Sequence, residues 1–328
     1  MRVLVTGGAG YIGSQTVKEL MMEGHDPVVL DDLSEGHRQA VRGAPLVALS
    51  LADREGLQYL FAEEPFDAVI HFAAHCYVGE SMENPLKYYR NNVANAMNLL
   101  DACVEAGVRR FVFSSTCATY GEPQSMPLRE DHPQNPVNVY GETKLVVEKI
   151  LRDVSRAHGL RYVALRYFNA AGADPEGEMG EDHDPETHLI PLVLQVALGG
   201  REEIRVFGDD YDTPDGTCVR DYIHTVDLAR AHVLALDHLA GGGDSDAFNV
   251  GTGTGYSVRE VIECARAVTG MPIPAVTEGR RPGDPARLVA GNEKIRGVLG
   301  WEPRFPSLED VVRTAWDWHR NHPGGYGV

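Results

Sequence analysis

The chain has 328 residues, 48 acidic against 30 basic, and a formal net charge of −18. That balance excludes general binding to nucleic acid, whose phosphate backbone demands clustered positive charge. An apolar content of 43% excludes a disordered chain, and the length allows one large or two ordinary domains.

The first half alternates strand-type and helix-type runs. Strands are expected at Arg2–Thr6, Pro27–Leu30, Leu46–Leu49, Ala68–Phe72, Arg110–Ser114 and Tyr162–Arg166. Amphipathic helices are expected between them at Tyr11–Glu23, Arg54–Glu63, Leu86–Ala106 and Gly141–His158. Continuous apolar strands separated by helices predict an α/β fold with a doubly wound parallel sheet, covered on both faces. Beyond about Ala170 the texture changes. A Gly-, Asp-, Glu- and Pro-rich loop (172–187) precedes a helix at Leu189–Leu198, a strand at Ile204–Phe207, a polar loop at Asp209–Thr217 and a helix at Val226–Leu239. Gly241–Asp246 reads as a short flexible connection. Ser257-Val-Arg-Glu260 has the form of a capping box, and Ser307-Leu-Glu-Asp310 opens the last helix.

No window approaches the roughly 18 apolar residues of a membrane helix. Met1–Thr6 is too short an apolar run for a signal peptide. The five cysteines are scattered and form no CxxC pair, so a disulfide framework and structural zinc are poor readings and a reducing cytoplasm is the expected setting. No metal is expected. His183, His188, His224 and His232 do not share a helix with carboxylates at ligand spacing, and capping or surface roles are favoured.

Gly7, Gly10 and Gly13 follow the first strand and open the first helix, a G-x-x-G-x-x-G pattern. Glycines there permit a tight turn and close approach of backbone to a pyrophosphate, and the helix start supplies N–H donors. Asp31, at the end of the second strand, would accept hydrogen bonds from ribose hydroxyls and repel a 2′-phosphate, so NAD is favoured over NADP. Tyr140-Gly-Glu-Thr-Lys144 places a phenol and an ammonium on one helix face. Such an ammonium would draw the phenol's pKa down from about 10 and make a general base. Only five residues are lysine, which makes this spacing less easily an accident. Upstream, Ser114, Ser115 and Thr116 end the fifth strand, where ligands sit in doubly wound sheets.

Together these motifs resemble the extended short-chain dehydrogenase/reductase superfamily. Further segments resemble its UDP-galactose (UDP-glucose) 4-epimerases: His71-Phe-Ala-Ala74, Tyr89-Arg-Asn-Asn92, Arg166-Tyr-Phe-Asn169, Phe207-Gly-Asp-Asp-Tyr211, Asp215 to His224, and Arg280-Arg-Pro-Gly-Asp284. The resemblance implies a Rossmann-type NAD domain over residues 1–169 carrying the catalytic pair. It implies a smaller, mainly UDP-sugar-binding α/β domain over 170–328, with some segments returning to the sheet. It implies that Tyr140 removes the sugar 4-OH proton, Lys144 lowers the tyrosine pKa and holds the nicotinamide ribose, and Thr116 orients the 4-oxygen. NAD contacts would come from Gly7, Gly10, Tyr11, Ile12 and Gly13, from Asp31 and Asp32, and from Ser50 and Leu51. Others would come from Phe72, Ala73 and Ala74, and from Asn92, Ser114, Tyr140, Lys144 and Tyr167. UDP-galactose or UDP-glucose would meet Thr116, Tyr140, Asn169, His188, Leu189, Phe207, Arg220, Tyr222, Arg281 and Asp284. Arg220 and Arg281 would fork onto the diphosphate. Asp284 would hold a uridine hydroxyl, and Phe207 would line the uracil.

Three positions depart from the family pattern. His75-Cys76 stands where some members have a lysine near the nicotinamide ribose. Ser50-Leu51 stands where some have an aspartate at the adenine, and Asp53 reads as a helix cap. Leu288 suggests preference for hexoses without an N-acetyl group. A nucleotide-sugar 4,6-dehydratase would need an acid and a base directly after Thr116, and Cys117 and Ala118 supply neither. A uronate or pentose 4-epimerase, an N-acetylhexosamine 4-epimerase and a catalytically silent sensor on the same fold remain the alternatives. The resemblance also implies a homodimer formed through the helices around 86–106 and 141–158.

Overall fold

The computed structural model describes residues 1–281 and 283–327. Strands β1 (Arg2–Thr6), β2 (Asp26–Asp31), β3 (Leu46–Ala48), β4 (Ala68–His71), β5 (Arg110–Thr116) and β6 (Arg161–Tyr167) fall within a few residues of expectation. So do helices α1 (Tyr11–Met22) and α2 (Arg54–Glu63). Asp53 caps α2 by accepting the Gly56 N–H at 3.0 Å. A short separate helix α3 (Val78–Glu83) precedes the helix expected at 86–106, which runs without a gap from Pro85 to Glu105 as α4 (Pro85–Tyr88), a π-turn at Tyr89–Ala94 and α5 (Asn95–Glu105). Pro85 opens that helix at its first turn, and the wide π-turn carries Asn92 inward to bond the His75 backbone. Helix α6 (Val139–His158) follows, capped by Asn138 at its start and Gly159 at its end.

The later elements are β7 (Asn169–Ala171), α7 (Leu189–Ala197), β8 (Ile204–Phe207), β9 (Val219–His224), α8 (Thr225–Ala240) and β10 (Asp246–Val250). They continue with β11 (Gly255–Ser257), α9 (Val258–Thr269), β12 (Ala275–Glu278), β13 (Arg287–Leu288), α10 (Glu293–Leu299) and α11 (Leu308–Asn321). The Ser257–Glu260 capping box is present in both directions.

Seven parallel strands form the main sheet in the order β10-β6-β5-β4-β1-β2-β3. Its direction of growth reverses between β1 and β4, which opens a crevice at their carboxyl ends. Alternate strand residues serve opposite faces: Val3, Val5 and Val29 pack toward α1 and α8, whereas Leu4, Val28 and Leu30 pack toward α2 and α5. Gly241–Asp246 leads directly into β10, so the chain returns to this sheet after building part of the second lobe. That lobe has its own core from α7, α9 and α11 against β8 and β9. Trp301 is fully buried and donates its indole N–H to the Asp227 carbonyl at 2.9 Å. No helix among the described residues is long and apolar enough to cross a membrane.

Three histidines are sealed in these cores. Burial pushes His71 down to about 3, and His224 and His232 each to about 4. All three are therefore neutral when folded, while unfolding returns them to about 6.5. Below that value the unfolded chain binds more protons, so their stabilisation is full above pH 6.5 and is lost as pH falls toward 4. Replacing one, His232→Leu, is expected to flatten the acid limb of stability by up to about 1.4 kcal/mol per pH unit. Urea unfolding at a series of pH values from 4.5 to 7.5 measures that slope against the parent.

Candidate active site

The crevice is a cavity of about 450 Å³ running from Asp31 and Ser50 at one end to Arg220 and Asp284 at the other. At the first end, Gly7 has φ +74° and a Cβ placed on it would lie 2.5 Å from the Ala73 nitrogen. A Cβ on Gly13 would overlap the Gly7 carbonyl oxygen. Both positions therefore demand glycine. No side chain caps the start of α1, so its first N–H groups stay directed at the cavity wall formed by Gly10, Tyr11, Ile12 and Gly13. Asp31 is 8% exposed and accepts the Ala9 and Leu33 N–H groups at 3.0 and 2.9 Å. Burial raises its pKa, and those two bonds oppose the rise. Asp32 turns its oxygen to Ser34. Ser50, Leu51, Phe72, Ala73 and Ala74 also line this stretch.

Asn92 does not reach the cavity lining. Its amide accepts the His75 N–H and donates to the His75 carbonyl and the Thr143 hydroxyl, so its capacity is spent on holding the 75–76 segment.

At the middle of the cavity stand Ser114, Thr116, Tyr140, Lys144 and Tyr167. Parallel pairing of β5 with β6 sets Ser114 beside Tyr167, with hydroxyls 2.7 Å apart. Ser115, on the opposite face, bonds Glu148 at 2.5 Å and takes no part. Thr116 ends β5 and its hydroxyl accepts the Ala118 N–H at 3.1 Å. Tyr140 and Lys144 lie one turn apart at the start of α6, 8% and 3% exposed. The ammonium donates to the Ser114 carbonyl at 2.8 Å and sits 5.9 Å from the centre of the Tyr140 ring.

The expected lowering of the phenol is absent from this arrangement. Burial pushes Tyr140 well above 10, aided by Tyr167, while the Thr116 hydroxyl acts the other way. The Lys144 ammonium uses one of its three donors on a backbone carbonyl, and its own pKa is pushed down to about 8 by burial. Cys117 is likewise pushed up to about 12 by burial and stays a thiol.

At the far end Asn169, His188, Arg220 and Asp284 line the cavity. The Arg220 guanidinium donates to the Val219 and Pro285 carbonyls at 2.9 and 2.8 Å and pairs with Asp284 at 3.3 Å. Four expected contacts stand outside the lining. The Arg281 guanidinium lies 4.0 Å over the Phe207 ring, so each covers the other. Tyr222 is 6% exposed within the second core, and Leu189 packs against that core.

The 172–188 loop adds residues that motif spacing did not select. Glu181 and His183 line the cavity beside His188, with Glu186 behind them. Burial works to lower His183, but the carboxylates of Glu181 and Glu186 outweigh it and raise the ring to about 10. The capping role expected for the histidines holds for His224, whose ring accepts the Val226 N–H at 3.1 Å. It does not hold for His183 and His188, which face two carboxylates. The signal was present as Glu-x-His-x-x-Glu-x-His, a loop spacing rather than a helical one.

The family described as "NAD dependent epimerase/dehydratase family" matches residues 3–251. A UDP-glucose 4-epimerase of Halalkalibacterium halodurans is 55% identical over 100% of this chain and 98% of its own length. A crystal structure of a UDP-glucose 4-epimerase superposes with a TM-score of 0.98 at 52% identity, covering 100% of both chains. That of the Brucella ovis UDP-glucose 4-epimerase in complex with NAD gives 0.94 at 51%, covering 96% of this chain and 97% of that one.

Gly13→Ala is expected to strip the protein of bound dinucleotide, because the added methyl displaces the turn that aims α1. Releasing cofactor from the purified variant by denaturation and measuring its absorbance against the parent tests this, with circular dichroism reporting the fold.

Proposed function

We propose that this chain, which belongs to the NAD dependent epimerase/dehydratase family, interconverts UDP-galactose and UDP-glucose through a 4-keto sugar. The observation that carries this reading is one cavity holding the glycine turn, the Tyr140–Lys144 pair and Arg220 in that order. NAD fits the residues present: two glycines admit no Cβ, an uncapped helix start offers N–H donors, and a buried carboxylate stands at the ribose end. The Gly7–Gly13 turn would hold the pyrophosphate, Asp31 the adenosine ribose, and Lys144 the nicotinamide ribose. When bound, NAD supplies the hydride acceptor and donor for sugar C4 and, in its oxidised form, a positive ring beside the phenol.

The protein's own residues handle the proton and the position. Tyr140 takes the 4-OH proton as C4 is oxidised and returns it as C4 is reduced. Burial keeps the phenol protonated in the protein alone, so its basicity depends on positive charge gathered in the cavity. Lys144, at about 8, remains mostly charged at neutral pH and contributes that charge from a fixed point on the Ser114 carbonyl. Thr116 holds the 4-oxygen in line with Tyr140. Arg220 exchanges its contact with Asp284 for diphosphate oxygens and keeps the nucleotide fixed while the 4-keto sugar turns over to present its other face. Asn169 adds an amide contact. Asp284, released, meets a uridine hydroxyl.

The positions after Thr116 support epimerisation over dehydration. Cys117 and Ala118 both line the cavity, and neither moves a proton at neutral pH. Leu288 also lines it, which favours hexoses without an N-acetyl group. Exposed Met82, Leu86 and Met97 on the 78–105 helices offer an apolar face to a second copy, as in a homodimer. A reducing cytoplasm suits the five free thiols.

Purified protein is expected to convert UDP-galactose to UDP-glucose with no added oxidant. Tyr140→Phe is expected to lower kcat by about 10²–10⁴-fold, the usual weight of general acid–base catalysis. Arg220→Ala is expected to raise KM about 10–100-fold through loss of charged hydrogen bonds. Near-normal turnover in the first variant, or unchanged KM and kcat in the second, would sink the assignment. Leu86→Glu is expected to shift the protein from dimer to monomer in light scattering.

A further inference from the structure

We propose that Glu181, His183, Glu186 and His188 form a binding site for one borderline divalent metal ion of the zinc class, set in the wall of the cavity. All four residues lie on the loop between β7 and α7, and one ligand atom from each falls within 4.8 Å of all the others.

The separations are those of ligands around a small ion. His188 Nδ1 is 2.8 Å from Glu181 Oε1 and 3.0 Å from Glu186 Oε1. His183 Nδ1 is 3.2 Å from Glu181 Oε1 and 3.8 Å from Glu186 Oε2. A tetrahedral ion with bonds of about 2.0–2.1 Å holds its ligands about 3.3 Å apart.

Two further features point to a ligand. The Nδ1 of His183 is buried and makes no hydrogen bond, although a carboxylate oxygen stands beside it. The side chains of Glu181 and Glu186 are only 5% and 7% exposed, and two carboxylates so enclosed require matching positive charge. Two protonated imidazoles balance them in the metal-free protein, and one dication with two neutral imidazoles gives the same net charge, so metal uptake would release two protons.

The surroundings also orient the donors. The Thr187 and His188 N–H groups both donate to Glu186 Oε1 at 2.7 Å, fixing that carboxylate as metal sites commonly do. His188 stands at the N-cap position of α7 with no capping bond from its side chain, leaving the ring to turn into the cluster. A donor set of two imidazoles and two carboxylates suits zinc, cobalt or nickel and disfavours the oxygen-seeking calcium and magnesium. By contrast, Asp174, Glu176 and Glu178 are also close together, but Lys18 already occupies their centre.

The ion would act as a clip. The His183 ring packs edge-on against Tyr11, the residue that opens α1, with centroids 6.2 Å apart. Fixing the loop there would set the wall between the dinucleotide turn and the nucleotide-sugar end, and this role is independent of the reaction proposed above.

Full-length protein, freed of metal with a chelator and then titrated with Co²⁺, tests the site. The expected result is saturation at one equivalent, with the intense visible absorption of a four-coordinate nitrogen–oxygen site that one equivalent of Zn²⁺ abolishes. His183→Ala and Glu186→Gln are each expected to weaken binding by at least about 10²-fold. Cys76→Ser and His158→Gln are expected to retain it. Absence of a saturable visible band in the parent overturns the proposal. So does a band that survives both ligand substitutions or disappears in Cys76→Ser. Should either ligand variant fail to fold, anomalous scattering at the zinc edge from crystals of the parent decides. A peak enclosed by the four side chains is expected, and none there at saturating Zn²⁺ overturns the site.

Discussion

Helix α1 meets the end of β1 so closely that one methyl group on Gly13 would overlap the Gly7 carbonyl. The rest of the cavity depends on that contact. It brings an uncapped helix start to the mouth of the sheet crevice, where unpaired N–H groups form the main positive potential at that end. The same turn leaves the Ala9 N–H facing Asp31, which ties the second strand to the first helix through a buried carboxylate. Close packing continues on the other side, where Gly7 touches the Ala73 backbone after β4. Two strands, a helix and the switch point of the sheet thus share one backbone junction, and no larger residue fits either glycine position.

The charge distribution follows from this arrangement. A net charge of −18 is compatible with anionic ligands because positive charge lines the cavity locally, at the α1 start, Lys144 and Arg220 among other groups. Each cation is restrained before any ligand arrives. Lys144 is held by the Ser114 carbonyl, and Arg220 by two carbonyls and Asp284. Restraint reduces the entropy lost on binding. It also explains why sequence spacing overstated the direct effect of Lys144 on Tyr140. Residues i and i+4 share a helix face, but the ammonium reaches past the phenol to a backbone oxygen, and burial dominates both groups.

What the sequence made legible was local. Continuous apolar runs and amphipathic runs of period 3.6 marked β1 to β6, α1, α2, the helix at 86–106 and α6, because each depends on its own residues. The glycine triplet and Tyr-x-x-x-Lys were readable for the same reason. The π-turn within the 86–106 helix was not, because it serves Asn92, which bonds the backbone at His75, a partner 17 residues away. Strand β10 was hidden too. Asp246-Ala-Phe-Asn-Val250 carries a polar Asn249 at a buried position, and only the folded chain supplies the Leu128 carbonyl and Tyr120 hydroxyl that satisfy it. Arg281 pairs with Phe207 across 74 positions of sequence, so its distance from the cavity lining had no local trace. The Glu181–His188 group was passed over because ligand spacing was sought on helices.

The return of the chain to the main sheet settles how the two ends of the cavity are kept in register. Arg220 lies on β9, outside that sheet, yet its neighbour Asp221 is fully buried and accepts four hydrogen bonds. Three come from Thr252 and Gly253, immediately after β10, and one comes from Ala290, just beyond β13. Burial raises the pKa of Asp221 while the Thr252, Ala290 and Gly253 donors oppose it, as they must to hold a carboxylate there. One side chain therefore joins the arginine-bearing strand, the strand leading to Leu288, and a strand of the sheet that carries Tyr167. The cation at the nucleotide-sugar end is positioned by the same sheet that positions the catalytic hydroxyls. A shift of β10, which pairs with the strand carrying Tyr167, would therefore be felt at Arg220 through Asp221.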